Sequence, residues 1–398
     1  MKPTEIFSPL AEQLEPEGAF VYLDLATEAR RKGVDVISFG IGQPDFAPPK
    51  EVLEELKRAV DRGEIRYISP LGLPQLREAL ARHVSEKYGV DVKPSEVAVT
   101  VGAKAALFMT ISLLTRPGDE VVVQDPAFPT YECVVRYAGG RPVFVKLFEE
   151  DAFRLRPERV ESAIEGLHRV RGMVVNSPHN PTGSVLAKVD VEGLLEHAKR
   201  RGLFVISDEI YEDYVYEGSH YSFLLDSEWR DYVVYISGFS KTWALTGLRI
   251  GYVVAREELI RKLDIFATNL YSCPPAPPQF AALKALELGV EWFEKYRQEY
   301  RTRRDVAYEE LSRIPGISVV KSPGAFYLFP NVKKLLERMG ERNVDGFSRR
   351  LLSSTGVVML PGTAFPLLSG EGYLRVSYVL PPERIREGMR RIKEYVGG

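Results

Sequence analysis

From about residue 50 to residue 270, segments with apolar residues at helical spacing alternate with short runs rich in β-branched residues. The spacing predicts helices at Glu51–Arg62 and Leu73–Tyr88. The runs are Val97–Val101, Glu120–Gln124, Pro142–Lys146, Gly172–Asn176, Leu203–Ser207, Val233–Ile236 and Ile250–Ala255. Several are almost wholly apolar, as strands covered on both faces must be. Alternation of this kind predicts an α/β architecture, a mostly parallel seven-stranded sheet between helical layers. After the proline-rich Cys273–Pro278 the rhythm changes. One long helical stretch is predicted from Gln279 to Ser312. Short elements follow at Ile317–Lys321, Phe326–Phe329, Gly356–Met359, Tyr373–Tyr378 and Glu383–Tyr395, the pattern of a smaller α+β domain. Residues 1–45 read as an arm with an amphipathic stretch at Ala19–Arg31 and a turn at Gly40–Asp45. The expected organisation is an arm that joins the small domain (1–45), a large domain (46–278) and a small C-terminal domain (279–398).

Composition narrows the class. With 398 residues, 45 % hydrophobic and 27 % charged, the chain is neither collagen-like, coiled-coil nor disordered. Its 53 basic and 55 acidic residues leave a net charge of −2, which offers no overall footprint for nucleic acid or a membrane surface. Two cysteines, Cys133 and Cys273, cannot build a disulfide scaffold and are expected to be reduced, as in a cytoplasmic protein. Met1–Gly18 lacks the apolar core of a signal peptide, and no apolar run approaches the ~18 residues of a membrane helix.

Four segments could carry chemistry, each at the end of a predicted strand. Lys241, in Ser237-Gly238-Phe239-Ser240-Lys241-Thr242-Trp243, follows the strand Val233–Ile236, where open α/β sheets keep their sites. A shielded lysine there loses its proton readily and can form a Schiff base, although an isolated lysine is ordinarily a solvated surface charge. Asp208 ends the strand before Glu209-Ile210-Tyr211; a carboxylate there can pair with a protonated heterocyclic nitrogen, or simply cap a helix. Asn180 sits in the turn Ser177-Pro178-His179-Asn180-Pro181-Thr182-Gly183, which holds its amide at the sheet edge or is turn chemistry alone. Gly102-Ala103-Lys104 follows Val97–Val101 and opens a helix, a cradle for an anion or an ordinary strand-to-helix turn. No phosphate-loop or dinucleotide fingerprint is present.

Together these segments, with Gly247-x-Arg249-x-Gly251 after the lysine, resemble over nearly the whole chain the class I aminotransferases of fold type I, which depend on pyridoxal 5′-phosphate (PLP). The resemblance implies that Lys241 holds PLP as a Schiff base and shuttles the substrate's Cα proton. It implies that Asp208 keeps the pyridine nitrogen protonated, that Tyr211 and Asn180 hydrogen-bond the phenolic oxygen, and that Phe128 stacks on the ring. The phosphate would meet the cradle at Gly102, Ala103 and Lys104, then Arg249 and a hydroxyl of Ser240 or Ser237. Gly238 stands where many relatives have serine. Tyr67 resembles the tyrosine that reaches the phosphate of a neighbouring subunit, which implies a homodimer with shared sites. Arg375, in Tyr373-Leu374-Arg375-Val376-Ser377, matches the arginine that takes the substrate α-carboxylate, and Gly42 the glycine beside it. Pro366 replaces a frequent glycine in the loop before that strand.

The implied activity is ping-pong transfer of an amino group from an L-amino acid to a 2-oxo acid. A C–S β-lyase, a racemase or a cyclopropane-forming synthase would use the same fold, and a ligand-sensing regulator is a further alternative. In some relatives a lysine at the position of Lys104 reaches the distal carboxylate of a dicarboxylic substrate; a solvated lysine is the plainer alternative. Tyr22, Phe326 and Tyr327 are candidates to line the side-chain pocket. The donor stays open among acidic, alanine, aromatic and aminoadipate-like amino acids.

Overall fold

The computed structural model describes residues 16–365 and 369–397, so Pro366 lies outside the described residues. The chain enters through α1 (Gly18–Arg31) and a two-residue strand β1 (Ile37–Ser38), then α2 (Lys50–Asp61) and α3 (Pro74–Tyr88). Strands and helices then alternate: β2 (Val97–Val101), α4 (Gly102–Leu114), β3 (Glu120–Asp125), α5 (Thr130–Tyr137), β4 (Arg141–Lys146), α6 (Pro157–Ala163), β5 (Val170–Asn176), α7 (Lys188–Arg201) and β6 (Phe204–Asp208). After α8 (Trp229–Tyr232) come β7 (Val233–Gly238), β8 (Ile250–Val254), α9 (Glu257–Tyr271) and α10 (Ala276–Leu288). Each of the seven apolar runs forms one strand of a single sheet in the order β2-β8-β7-β6-β5-β3-β4. Only β8 runs antiparallel to its neighbours.

Alternation along each strand explains the two layers. Val122 and Val205 face a core built with α3, α6, α7 and α10, whereas Val121, Val123 and Ile206 face α4, α5 and α9. Because both faces are covered, polar side chains are excluded until the strands end. The carboxyl ends of the parallel strands β3, β5 and β6 therefore carry Asp125, Asn176 and Asp208 on one edge.

The C-terminal part contains α11 (Glu294–Ser312), β9 (Tyr327–Leu328), α12 (Lys333–Met339), α13 (Val344–Thr355), β10 (Val357–Val358), β11 (Leu360–Pro361), β12 (Leu374–Ser377) and α14 (Pro382–Gly397). The arm packs on it. Strand β1 pairs in parallel with β10, and Tyr22 and Ala26 of α1 sit against Leu352, Val358, Leu360 and Phe365. A small antiparallel sheet, β11-β12-β9, sets Arg375 opposite Leu360.

Two expectations need correction. The stretch Gln279–Ser312 is two helices, because Gly289 takes φ +75° and ψ 162°, which ends α10 and turns the chain. A tight turn then drives Phe293 against Tyr214, with ring centroids 4.6 Å apart. The segment Ile317–Lys321 is not a strand; it makes a single bridge, Ser318 to Asn331. Pro330, beside that partner, has no N–H to extend a ladder.

Candidate active site

Strand β6 ends on Asp208, which is 4 % exposed. Its Oδ2 accepts a hydrogen bond from Tyr131 Oη at 2.8 Å and its Oδ1 one from Ile210 N at 3.3 Å. Burial lifts the carboxyl to about 6, against those two bonds and the nearby charge of Lys241. Next to it, β7 runs into the turn that bears Lys241. The lysine Nζ donates to Gly42 O at 2.7 Å and lies 5.3 Å and 5.5 Å from the ring centroids of Tyr211 and Phe326. Burial brings this amine down to about 7; the Arg375 guanidinium pushes the same way and Asp208 opposes. A lysine in that range is available as a neutral amine near pH 7.

The residues after Asp208 and Glu209 face the lysine turn, and three consecutive ones, Glu212, Asp213 and Tyr214, fasten it. Tyr211 points into the site, its hydroxyl 2.7 Å from that of Tyr327. Glu212 accepts from Ser237 Oγ at 3.1 Å and Tyr235 Oη at 2.9 Å. Asp213 accepts from Thr242 Oγ1 at 2.7 Å, and Tyr214 donates to the carbonyl of Lys241 at 3.0 Å. Lys87 of α3 bridges the two acids, 3.2 Å from Glu212 and 2.7 Å from Asp213. Sequence reasoning missed Tyr131 and this clamp. Tyr131 stood one helical turn after Phe128, and the acids followed Tyr211 directly, but their partners are distant in the chain.

Helix α4 begins at the end of β2, and its first N–H groups have no partner within the helix. Gly102 has φ +78°, and a side chain there would strike the Arg249 guanidinium; one at Gly251 would strike Gly102 and Ala103. The two glycines thus let Arg249 and the start of α4 meet. Gly238 is equally constrained. A Cβ would lie 2.9 Å from Gly251 Cα and from Ile250 O, so β7 and β8 leave no room for the serine common in relatives. Ser240 is buried in the turn, whereas Ser237 gives its hydroxyl to Glu212.

On the opposite side, Arg375 is 3 % exposed between the rings of Tyr327 and Phe365, at 4.6 Å and 4.7 Å. Its Nη1 donates to Asn180 Oδ1 at 3.1 Å and its Nη2 to Gly40 O, while Nε is buried without a partner. Asn180 and Tyr211, expected to act as a pair, thus have separate partners here. Gly42 tolerates no side chain because the Tyr327 ring occupies that space. Tyr22 belongs to the cluster under α1, and Phe326 packs edge-on to Tyr211 at 5.2 Å. Lys104 Nζ sits 4.9 Å from the Phe128 ring centroid and 2.6 Å from Glu17 of the arm. Tyr67 is 86 % exposed, and no hydrogen bond or ring contact joins it to these residues among those described.

One group among the described residues brings metal-type ligands together: Glu209, Glu212 and His220, within 4.8 Å of one another. Its carboxylates already accept bonds from Ser207, Ser222, Tyr235 and His220, so protein donors satisfy them.

Residues 34–392 match the family described as aminotransferase class I and II. An aspartate aminotransferase of Sulfurisphaera tokodaii is 41 % identical over 99 % of this chain and 98 % of its own length. Aromatic-amino-acid aminotransferase 2 of Thermococcus litoralis is 35 % identical over 96 % of each chain. The structure of Thermus thermophilus aspartate aminotransferase with maleate superposes with a TM-score of 0.90, at 35 % identity, covering 98 % of this chain and 99 % of that one. PLP, the cofactor of this family, suits the residues present. The site offers a lysine amine brought near neutrality, a buried carboxylate and a helix start opened by glycine to an arginine. The chain belongs to the class I and II aminotransferases, fold type I enzymes that transfer amino groups with pyridoxal 5′-phosphate.

Proposed function

We propose that the chain transfers the amino group of an acidic L-amino acid, aspartate first, to a 2-oxo acid. The observation that carries this reading is a pair of cations. Arg375 is buried with an unpartnered Nε, and Lys104 stands beside Phe128. Two carboxylates on one substrate would match them. The aspartate aminotransferase relatives and the Thermus structure with maleate, a dicarboxylate, support the same substrate class.

Arg375 would exchange its contacts with Gly40 and Asn180 for the substrate α-carboxylate, using its planar fork. Lys241, with its amine near pH 7, would take the proton from the substrate Cα and return it to the carbon beside the ring. Asp208 would hold the heterocyclic nitrogen protonated, with Tyr131 fixing the carboxylate. Tyr211 and Asn180 would face the phenolic oxygen and Phe128 the ring. Gly102, Ala103, Lys104 and Arg249 would hold the phosphate at the α4 start, with Ser240 adding a hydroxyl. The bound cofactor supplies an electron sink for the charge left on Cα. The side chains around it select the Cα–H bond by orientation.

We further propose a homodimer in which Tyr67 completes the partner's phosphate site. Its exposure, with Ile65 72 % exposed two positions earlier in the chain, supports a covered face in the assembly. The 1–45, 46–278 and 279–398 division and a cytoplasmic location belong to the same reading. No helix among the described residues is long and apolar enough to cross a membrane.

The test is a half-reaction. PLP-loaded protein is mixed with single L-amino acids, without a 2-oxo acid, and the near-visible band is followed. Aspartate and glutamate are expected to convert it fastest. Faster conversion by aromatic amino acids would overturn the acidic assignment.

A further inference from the structure

Glu17 occupies the N-cap position of α1, yet its side chain makes no hydrogen bond to that helix. An acidic residue at a helix start ordinarily favours the free N–H groups there. Here Oε2 of Glu17 goes to Lys104 Nζ at 2.6 Å instead. The start of α1 is tightly packed. A side chain on Gly18 would collide with Ala364, so α1 starts pressed on the loop ahead of Phe365. Phe365 in turn flanks Arg375 at 4.7 Å. The Glu17 carboxylate is thus bound to the lysine beside Phe128, on an arm that packs against the loop leading to Phe365. Its charge is felt at both Lys241 and Arg375.

We propose that Glu17 is an internal stand-in for the side-chain carboxylate of an acidic substrate, which pairs Lys104 until substrate displaces it. The inference rests on the reading that Lys104 takes that carboxylate. One carboxylate replaces another on the same ammonium, so Lys104 never waits unpaired. Acidic substrates bind against an intramolecular competitor, whereas neutral substrates leave the pair in place. Displacement frees the N-cap residue of α1, so occupancy of the distal position is coupled to the arm.

The experiment measures maleate binding to the PLP-loaded enzyme by calorimetry, alongside the half-reaction with L-alanine. Glu17→Gln removes the competitor and is expected to tighten maleate about 3- to 10-fold, the scale of a partly exposed ion pair. The alanine half-reaction stays within about twofold. Glu17→Asp keeps the charge and is expected to stay near the parent affinity, which separates charge from loss of fold. Lys104→Met weakens maleate about tenfold or more and abolishes the gain from Glu17→Gln in the double variant. If Lys104→Met weakens maleate but Glu17→Gln leaves it unchanged or weaker, the stand-in role is wrong and the lysine assignment stands. If Lys104→Met leaves maleate unchanged, the lysine assignment falls and the stand-in role with it. An equal gain for alanine in Glu17→Gln would also overturn the proposal, because the effect would then lie in the arm rather than in charge.

Discussion

Lys241 and Arg375 are the two cations at the heart of the site, and the protein holds them by different means. Lys241 rides on a turn fastened by Glu212, Asp213 and Tyr214, which lie on the loop after the preceding strand, β6, and are themselves held by Tyr235, Thr242 and Lys87. Arg375 is surrounded by groups from Gly40, Asn180, Tyr327 and Phe365, four segments far apart in the chain. The first arrangement is complete without substrate. The second pairs its own members where a substrate carboxylate would go, and leaves Nε unpartnered. The comparison separates a preorganised floor from an exchangeable rim: chemistry needs fixed geometry, and binding needs contacts that can be traded.

The largest effect is expected at the floor. Lys241→Ala removes the proposed proton carrier and is expected to cut the half-reaction with aspartate by about 10⁴-fold or more, measured by stopped-flow absorbance. At the rim, Arg375→Lys loses the bidentate fork. It is expected to raise KM for aspartate about 10- to 100-fold while kcat falls less, read from steady-state kinetics. A drop in kcat as large as the rise in KM would move Arg375 to the floor. Asp213→Ala leaves Lys87 short of one carboxylate and Thr242 without its acceptor. It is expected to cost about 2–4 kcal/mol in denaturant unfolding, with the turn loosened. A loss under about 0.5 kcal/mol would show that the clamp is ornamental to the fold.

The smallest effect concerns pH. Asp208 is raised to about 6 by burial, above its ordinary 3.8. Its folded form therefore prefers the proton. Its contribution to stability is fully present below about pH 4 and is lost as pH rises through about 6. Cofactor-free Asp208→Asn is expected to be more stable than the parent at pH 8, by about 1–3 kcal/mol, with the gap closing at pH 4. Equal stability at both pH values would contradict the buried-carboxylate account.

The residues at the strand ends were legible in the sequence, and the contacts that hold them, at floor and rim alike, were not. Seven apolar runs became seven strands, and the candidate residues at their ends fell on one edge, because a parallel sheet covered on both faces leaves polar chemistry only there. Contacts between segments with no sequence relation left no local signal. Nothing in the periodicity of α1 announces that Glu17 meets Lys104, 87 positions away. The same holds for Tyr211 with Tyr327 and for Asn180 with Arg375. The break after α10 was missed because residues on both sides keep helical spacing, while one glycine conformation decides the turn. Tyr131 was within reach, since it stands three residues after Phe128, which the resemblance had picked out, and only its partner Asp208 was hidden by the fold.

The central claim is that the floor is built around one lysine. Its most direct test is borohydride reduction of the PLP-loaded protein, followed by proteolysis and mass mapping of the pyridoxyl label. The account predicts a single labelled peptide, with the mass on Lys241. A label on Lys104 or any other lysine, with Lys241 unmodified in a fully loaded protein, would contradict it.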